Sequence, residues 1–192
     1  AFAMYTHQNG VLKLSAQLFP LMPGEKREAR LELMLPGQKW SVAAKAEVHY
    51  PGWDAHFRIE NWDDSHDVKY RVCHGEKAKF EGLIRKDPKN QDEIVVANLS
   101  CNSSRTTGPR KEIVENIRHH NPDLLFFGGD QHYRHTENTT GWIEFGMQYR
   151  DIIRDRPTIC IPDDHDVGHG NVWGESGKRS TIPGDADGGY KF

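Results

Sequence analysis

The chain has 192 residues, 36% hydrophobic and 28% charged, with 25 Lys and Arg against 28 Asp and Glu for a net charge of -3. A chain of this length buries roughly 70% of its unfolded surface, so a packed core is available, and no apolar run reaches the ~18–20 residues of a membrane span. The charge balance lacks the basic excess that holding a phosphate backbone requires, which argues against nucleic acid as a scaffold partner. The start, Ala1-Phe2-Ala3-Met4, shows no basic flank leading into an apolar core, so no intact signal or transit peptide is read there. On this reading the chain is cytoplasmic or has lost a leader.

From Val11 to Lys86 the apolar residues fall in short, nearly alternating segments separated by turn formers, the pattern of half-buried antiparallel strands. Strands are expected at 11–19, 29–35, 40–48, 56–60, 68–73 and 79–85. The breaks fall at 20–26, Pro36-Gly37, Pro51-Gly52, 63–67 and Gly75-Glu76, where Gly, Pro and Asp supply turn geometry. This spacing predicts a small β-sandwich. Trp40, Trp53 and Trp62 are expected in its core, which is commoner for strand aromatics than a carbohydrate platform.

At Asp87-Pro88-Lys89-Asn90 the pattern changes, which places an all-β domain at residues 1–90 and a second domain at 91–192. The run Ile94-Val95-Val96-Ala97-Asn98-Leu99 is continuous, as expected of a strand buried on both faces, and stops at Ser100-Cys101-Asn102. Pro109 suits a first helical turn, and Ile113, Val114 and Ile117 share one face up to His119-His120. A second strand at 124–127 ends in Gly128-Gly129-Asp130. A helix is expected at 142–154, and a third strand at 158–161 ends in Pro162-Asp163-Asp164-His165-Asp166. The order βαβαβ implies parallel strands.

Ligands of open α/β sheets bind beyond the carboxyl ends of the strands, and all three strands here end in coordinating residues. The first offers Cys101 and Asn102, the second Asp130 with His132 and Tyr133, the third Asp163, Asp164, His165 and Asp166. A carboxylate can bridge two cations, thiolate and phenolate suit iron or zinc, and oxygen donors suit calcium, magnesium or manganese, so the mixture points to two unlike metals. Cations ~3.5–4 Å apart clamp a phosphoryl group and acidify water, and a neighbouring histidine can protonate a leaving alkoxide.

Phe127-Gly128-Gly129-Asp130-Gln131-His132-Tyr133 followed by Ile161-Pro162-Asp163-Asp164-His165-Asp166 resembles the calcineurin-like metallophosphoesterases, in particular the alkaline phosphatase D (PhoD-like) branch. The resemblance covers roughly residues 93 to 180. It implies that Asp130 bridges two metals, that Asp164 stands where an asparagine ligates the second, and that His165 is the catalytic histidine. The branch replaces the first aspartate of the superfamily with cysteine and adds a tyrosine three residues after the bridging aspartate, matching Cys101 and Tyr133. Asn102 stands as the alternative ligand to Cys101. Iron paired with calcium is the implied metal content, with zinc or manganese as variants, and the implied substrate is a small phosphate monoester or diester. The branch also carries an all-β domain ahead of the catalytic one.

The superfamily's later motifs, including metal-binding histidines near GH and GHxH sequences, are expected beyond Phe192. The expected architecture is therefore a β-sandwich followed by the first half of an α/β metallophosphatase domain, completed by further sequence or by another chain. A secreted or periplasmic location is expected. The other reading is a binding or adhesion module, in which the sandwich recognises a partner and the α/β portion is a metal-poor support.

Other residues read plainly. Cys73 and Cys160 are expected to be small buried hydrophobes, and the three cysteines allow at most one disulfide. His119, His120 and His135 are expected at exposed helix-end or loop positions. His169 and Asn171 either line a substrate mouth or are loop residues, and Asp185-Ala186-Asp187-Gly188 lacks the remaining acidic positions of a calcium loop.

Overall fold

The structure, a computed structural model, describes residues 1–103, 110–134 and 137–167. His135, His169, Asn171, Pro109 and the 185–188 segment lie outside the described residues.

Seven antiparallel strands come first. They are β1 (Phe2–Gln8), β2 (Val11–Gln17), β3 (Glu28–Met34), β4 (Ser41–Glu47), β5 (Asp54–Glu60), β6 (Val68–His74) and β7 (Ala78–Ile84). Six match the expected strands to within a few residues. The seventh, β1, is unforeseen. It pairs with β2 through Asn9-Gly10, both at positive φ (51° and 72°), the backbone that a tight hairpin needs and that Asn and Gly adopt cheaply.

The strands form a sheet in the order β1-β2-β5 and another in the order β4-β3-β6-β7. Alternation puts Tyr5, Leu12, Leu14 and Phe57 on the inner face of the first, and Leu31, Leu33, Val68, Tyr70, Phe80 and Ile84 inside the second. These residues belong to one buried cluster, with the Tyr5 and Tyr70 rings edge-on at 6.2 Å. Trp62 lies in this core at 8% exposure. Trp53 is only partly buried beside Tyr50, and Trp40 lies at the rim under the Arg71 guanidinium, 4.5 Å from its ring.

The second half runs β8 (Val96–Leu99), α1 (Lys111–His120), β9 (Leu124–Gly128), α2 (Asn138–Ile153) and β10 (Thr158–Ile161), closing on a 3₁₀ turn at His165–Val167. The strands are parallel, in the order β10-β9-β8. Asn121 ends α1 in a left-handed cap, leaving His119 and His120 exposed at its end. Register places Ala97, Leu125, Phe127, Thr158 and Cys160 on one face and Val96, Asn98, Phe126, Ile159 and Ile161 on the other. The first face packs under α2, where Phe127 meets Phe145 edge-on at 4.8 Å.

The second face corrects an expectation. The 94–99 run is not buried on both faces: Ile94, Val95 and Val96 are 51%, 45% and 49% exposed. β8 is an outer strand, and among the described residues no layer covers the face that Val96 shares with Ile159 and Ile161.

The two halves touch closely. The Phe2 and Trp142 rings are 5.7 Å apart, and Gly146 has no side chain where the Phe2 ring packs onto α2. Leu83 donates its amide to the Arg154 carbonyl at 3.1 Å, and the Arg154 guanidinium returns to the Glu81 carbonyl. All three cysteines are free thiols: Cys73 is buried, Cys160 is partly buried with its thiol pushed up to about 12 by burial, and Cys101 is exposed. Among the described residues no helix is long and apolar enough to cross a membrane.

Candidate metal centre at the strand ends

Each parallel strand delivers one loop to the same place. Beyond β8 and β9 the chains stay joined, Cys101 donating its amide to the Gly129 carbonyl at 3.2 Å and Asn102 to the Asp130 carbonyl at 2.8 Å. Cys101 and Asp130 both take positive φ (55° and 56°), a turn that lifts their side chains off the strand line at some backbone cost. Gly129, at φ 98°, sits where a Cβ would lie 2.6 Å from the Asp163 side chain, so only glycine lets the β9 and β10 loops approach this closely.

The convergence is tight. Ligand atoms of Asp130, Asp164 and His165 lie within 4.8 Å of one another, although the first follows β9 and the other two follow β10. Asp130 and Asp164 are only 6% and 9% exposed. Asp130 Oδ2 accepts from the Tyr133 hydroxyl at 2.9 Å and from the Cys101 thiol at 3.8 Å, while Asp130 Oδ1 and Asp164 Oδ2 are buried without a hydrogen-bond partner among the described residues. Buried carboxylate oxygens left bare repel one another and cost stability unless a cation meets them. His165 Nε2 is 3.9 Å from Asp164 Oδ2, and its ring leans on Tyr133 with centroids 4.2 Å apart. Burial, followed by the hydrogen bond to Asp130, drives the Tyr133 phenol well above its ordinary range.

Asn102 is placed differently. Its Oδ1 accepts from Arg110 Nε at 2.7 Å, and its Nδ2 donates to the Gln131 carbonyl at 3.0 Å and to Gln148 Oε1 at 2.7 Å. Both ends of the amide are thus committed to bracing the first loop against the second loop and α2. Of the two first-loop candidates, Cys101 is the one whose side chain touches Asp130.

Asp166 carries a role that its place among the strand-end carboxylates did not reveal. Buried at 6% exposure, it accepts the backbone amides of Asp130 at 2.6 Å, Asp163 at 3.0 Å and His132 at 3.2 Å, tying the second loop to the third. Burial pushes its carboxyl up, against amides that pull it down. Gln131 adds a second tie, donating to the carbonyls of Phe127 and Ile161. These partners are backbone atoms, several of them distant in sequence, so nothing in the sequence pattern announces them.

No protein-family model matches the chain, and no curated protein matches it by sequence. Solved structures do match it. What they share with this chain is the fold, an antiparallel unit running into parallel strands. The structure of PhoD superposes with a TM-score of 0.68 at 14% identity, over 92% of this chain and 41% of that one. A purple acid phosphatase from yellow lupin (Lupinus luteus) seeds gives 0.64 at 12% identity, over 92% and 36%. The likeness is one of fold, and this chain spans less than half the length of either protein. It agrees with the PhoD-like resemblance read in the sequence.

Proposed function

We propose that the chain is the front part of a PhoD-like metallophosphoesterase, acting as a phosphatase or phosphodiesterase on small phosphate monoesters or diesters. In this reading residues 1–90 form a β-sandwich domain, and residues 91–192 form the first half of an α/β catalytic domain. The observation that carries it is the meeting of Asp130, Asp164 and His165 with two buried, unpartnered carboxylate oxygens. A cluster of this kind fits cations better than any other ligand, since only positive charge relieves both oxygens at once. The open apolar face bearing Val96, Ile159 and Ile161 supports the incomplete-domain part, because a longer domain would cover it.

Asp130, with Cys101, Tyr133 and Asp164 around it, would hold the two metals, Asp130 being the carboxylate that would serve both. Iron with calcium suits this mixture of thiolate or phenolate and plain carboxylate donors, and zinc or manganese would also be accepted. Bound there, such ions supply neutralisation of phosphoryl charge and a more acidic attacking water. The chain's own residues do the rest. His165, held against Tyr133 and beside Asp164, is placed to protonate the departing alkoxide. Asp166 and Gln131 keep the loops in register, and Gly129 permits their approach. A secreted or periplasmic location accompanies this reading.

The test is metal content and turnover together. Two equivalents of metal are expected at the strand ends of the full-length protein, with hydrolysis of an aryl phosphate that chelation abolishes. Asp130→Asn combined with Asp164→Ala should remove the metal and lower turnover by roughly 10³ or more, the scale on which catalytic electrostatics act. The 192-residue chain alone should hydrolyse weakly or not at all. Metal-free full-length protein, or turnover indifferent to both substitutions, would return the molecule to the binding-module reading.

A further inference from the structure

A second cluster of metal-ligating side chains lies in the antiparallel unit and shares no residue with the strand-end centre. Ligand atoms of His49, Asp54 and His56 are within 4.8 Å of one another. We propose that these three residues form a separate surface site for a borderline divalent ion such as zinc.

The backbone holds the three donors in place. Asp54 and His56 are two apart on β5, so they share one sheet face. His49 stands across the tight turn from Asp54, bound by amide to carbonyl at 2.8 Å, with the Trp53 amide closing onto the His49 carbonyl at 2.7 Å. Asp54 Oδ2 is already the common target of both imidazoles, 2.6 Å from His56 Nε2 and 3.5 Å from His49 Nδ1. Zinc–ligand distances of ~2.0–2.2 Å put tetrahedral donors roughly 3–4 Å apart, so small rotamer changes would open the trio around an ion.

The donor set also selects the metal. Two imidazoles and one carboxylate suit zinc, nickel or copper and are poor for calcium or magnesium, which prefer all-oxygen shells. His56 has a built support. Its Nδ1 lies 2.6 Å from the hydroxyl of Ser15, the residue directly opposite it on β2. That hydroxyl accepts from an Nδ1–H as readily as it donates to a bare Nδ1, so it can fix the tautomer that turns the Nε2 lone pair toward the metal. Access is open, with the two histidine side chains 55% and 59% exposed. Asp54 and His56 also line a cleft of about 290 Å³ that runs toward Asn138 and Trp142 of α2, leaving room for an outside ligand at the fourth position.

A comparable trio, His7, Asp64 and Asp87, argues the contrast. There Lys89 Nζ already sits 2.7 Å from Asp64, and His7 Nε2 is spent on the Arg85 carbonyl, so the positive charge is supplied from within. No lysine or arginine forms an ion pair with Asp54 among the described residues; its partners are the two histidines.

The test uses the tag-free chain stripped with chelator, in a background of Asp130→Asn and Asp164→Ala so that the strand-end centre is silent. Calorimetric titration with zinc should show one remaining equivalent, and calcium none. His49→Ala and His56→Ala should each weaken that binding by at least about tenfold, and Ser15→Ala by about tenfold, the usual scale for a residue that orients a ligand. His49→Gln, which keeps the side-chain bulk, should behave like His49→Ala, and unchanged far-UV dichroism would show that the sheets persist. No zinc uptake in the silent background, or uptake untouched by His56→Ala, would leave the trio an ordinary hydrogen-bonded ion pair. Because Asp130 and Asp164 are replaced throughout and the readout is the effect of His49, His56 and Ser15 substitutions, this outcome is independent of the phosphoesterase reading.

Discussion

Glu32 in the antiparallel unit and Asp130 with Asp164 at the parallel strand ends are all buried carboxylates, at 9%, 6% and 9% exposure. Glu32 faces Arg71 across the β3–β6 ladder, with guanidinium contacts at 2.7 and 2.6 Å. Asp130 and Asp164 each keep a buried oxygen with no hydrogen-bond partner among the described residues. One unit satisfies its charges internally, and the other leaves them for something from outside. The same division shows in apolar surface: each antiparallel sheet has its inner face covered by the other, while the parallel sheet presents Val96, Ile159 and Ile161 to solvent. A buried carboxylate met by a cation of its own chain reads as structural, and one left short as a candidate functional group.

The largest expected effect tests whether the two units are separable at all. Phe145, 1% exposed on α2, packs on Phe127 at 4.8 Å, Trp142 at 5.2 Å and Tyr149 at 5.4 Å, and α2 in turn rests on β1. Phe145→Ala should cost roughly 3–5 kcal/mol through lost burial and the cavity left behind. Because one core cluster runs through both units, the loss should appear as a single unfolding transition at a lower denaturant midpoint. Two resolved transitions, with only one of them displaced, would show that the units melt independently.

A smaller effect of opposite sign sharpens the contrast between the carboxylates. In chelator-treated protein, Asp130→Asn removes one of two like charges and gives the orphaned oxygen's position an N–H that can donate. A gain of about 1–2 kcal/mol is expected, the scale of an unsatisfied buried polar group, with metal binding lost in exchange. Calorimetric melting with and without added metal checks it. A destabilised metal-free variant would mean that Asp130 is chiefly a structural residue.

How much of this was legible follows from where each signal resides. Strands β2 to β7 could be read because each buries one face, which writes an alternation into residues such as Leu12-Lys13-Leu14. β1 was missed because Phe2–Gln8 alternates against two partners, with Tyr5 facing the β core and Phe2 facing α2, although Asn9-Gly10 did carry a hairpin signal. α2 starts at Asn138, four residues before the expected Trp142, since Asn138-Thr139-Thr140 adds no apolar periodicity. The exposed face of β8 was hidden for the opposite reason: an apolar run does not say what covers it. Of the site, Asp130, Tyr133, Asp164 and His165 were legible as strand-end residues. The ties made by Asp166 and the bracing of Asn102 depend on backbone amides and side chains of loops distant in sequence, which no local pattern records.

The smallest effect belongs to the satisfied carboxylate. The side-chain hydrogen bond from Arg71 holds the Glu32 carboxyl below its ordinary 4.5, with Arg30 Nε at 3.6 Å adding to the same effect. The folded state therefore binds the Glu32 proton less tightly than the unfolded chain does. Its stabilisation is fully present above about pH 4.5 and is lost as pH falls through the lower folded value. Glu32→Gln keeps the shape and removes the charge, so it should cost about 1 kcal/mol at neutral pH, the upper range for an ion pair this near the surface. The cost should shrink on acidification until variant and parent unfold at the same denaturant concentration. Chemical denaturation at a series of pH values, in chelator to hold the strand-end carboxylates apart from the comparison, measures the difference directly. A cost that stays constant below pH 4 would show that the difference between Glu32 and Gln does not come from the ionised carboxylate, and that the Arg71 contact does not account for the charge being tolerated there.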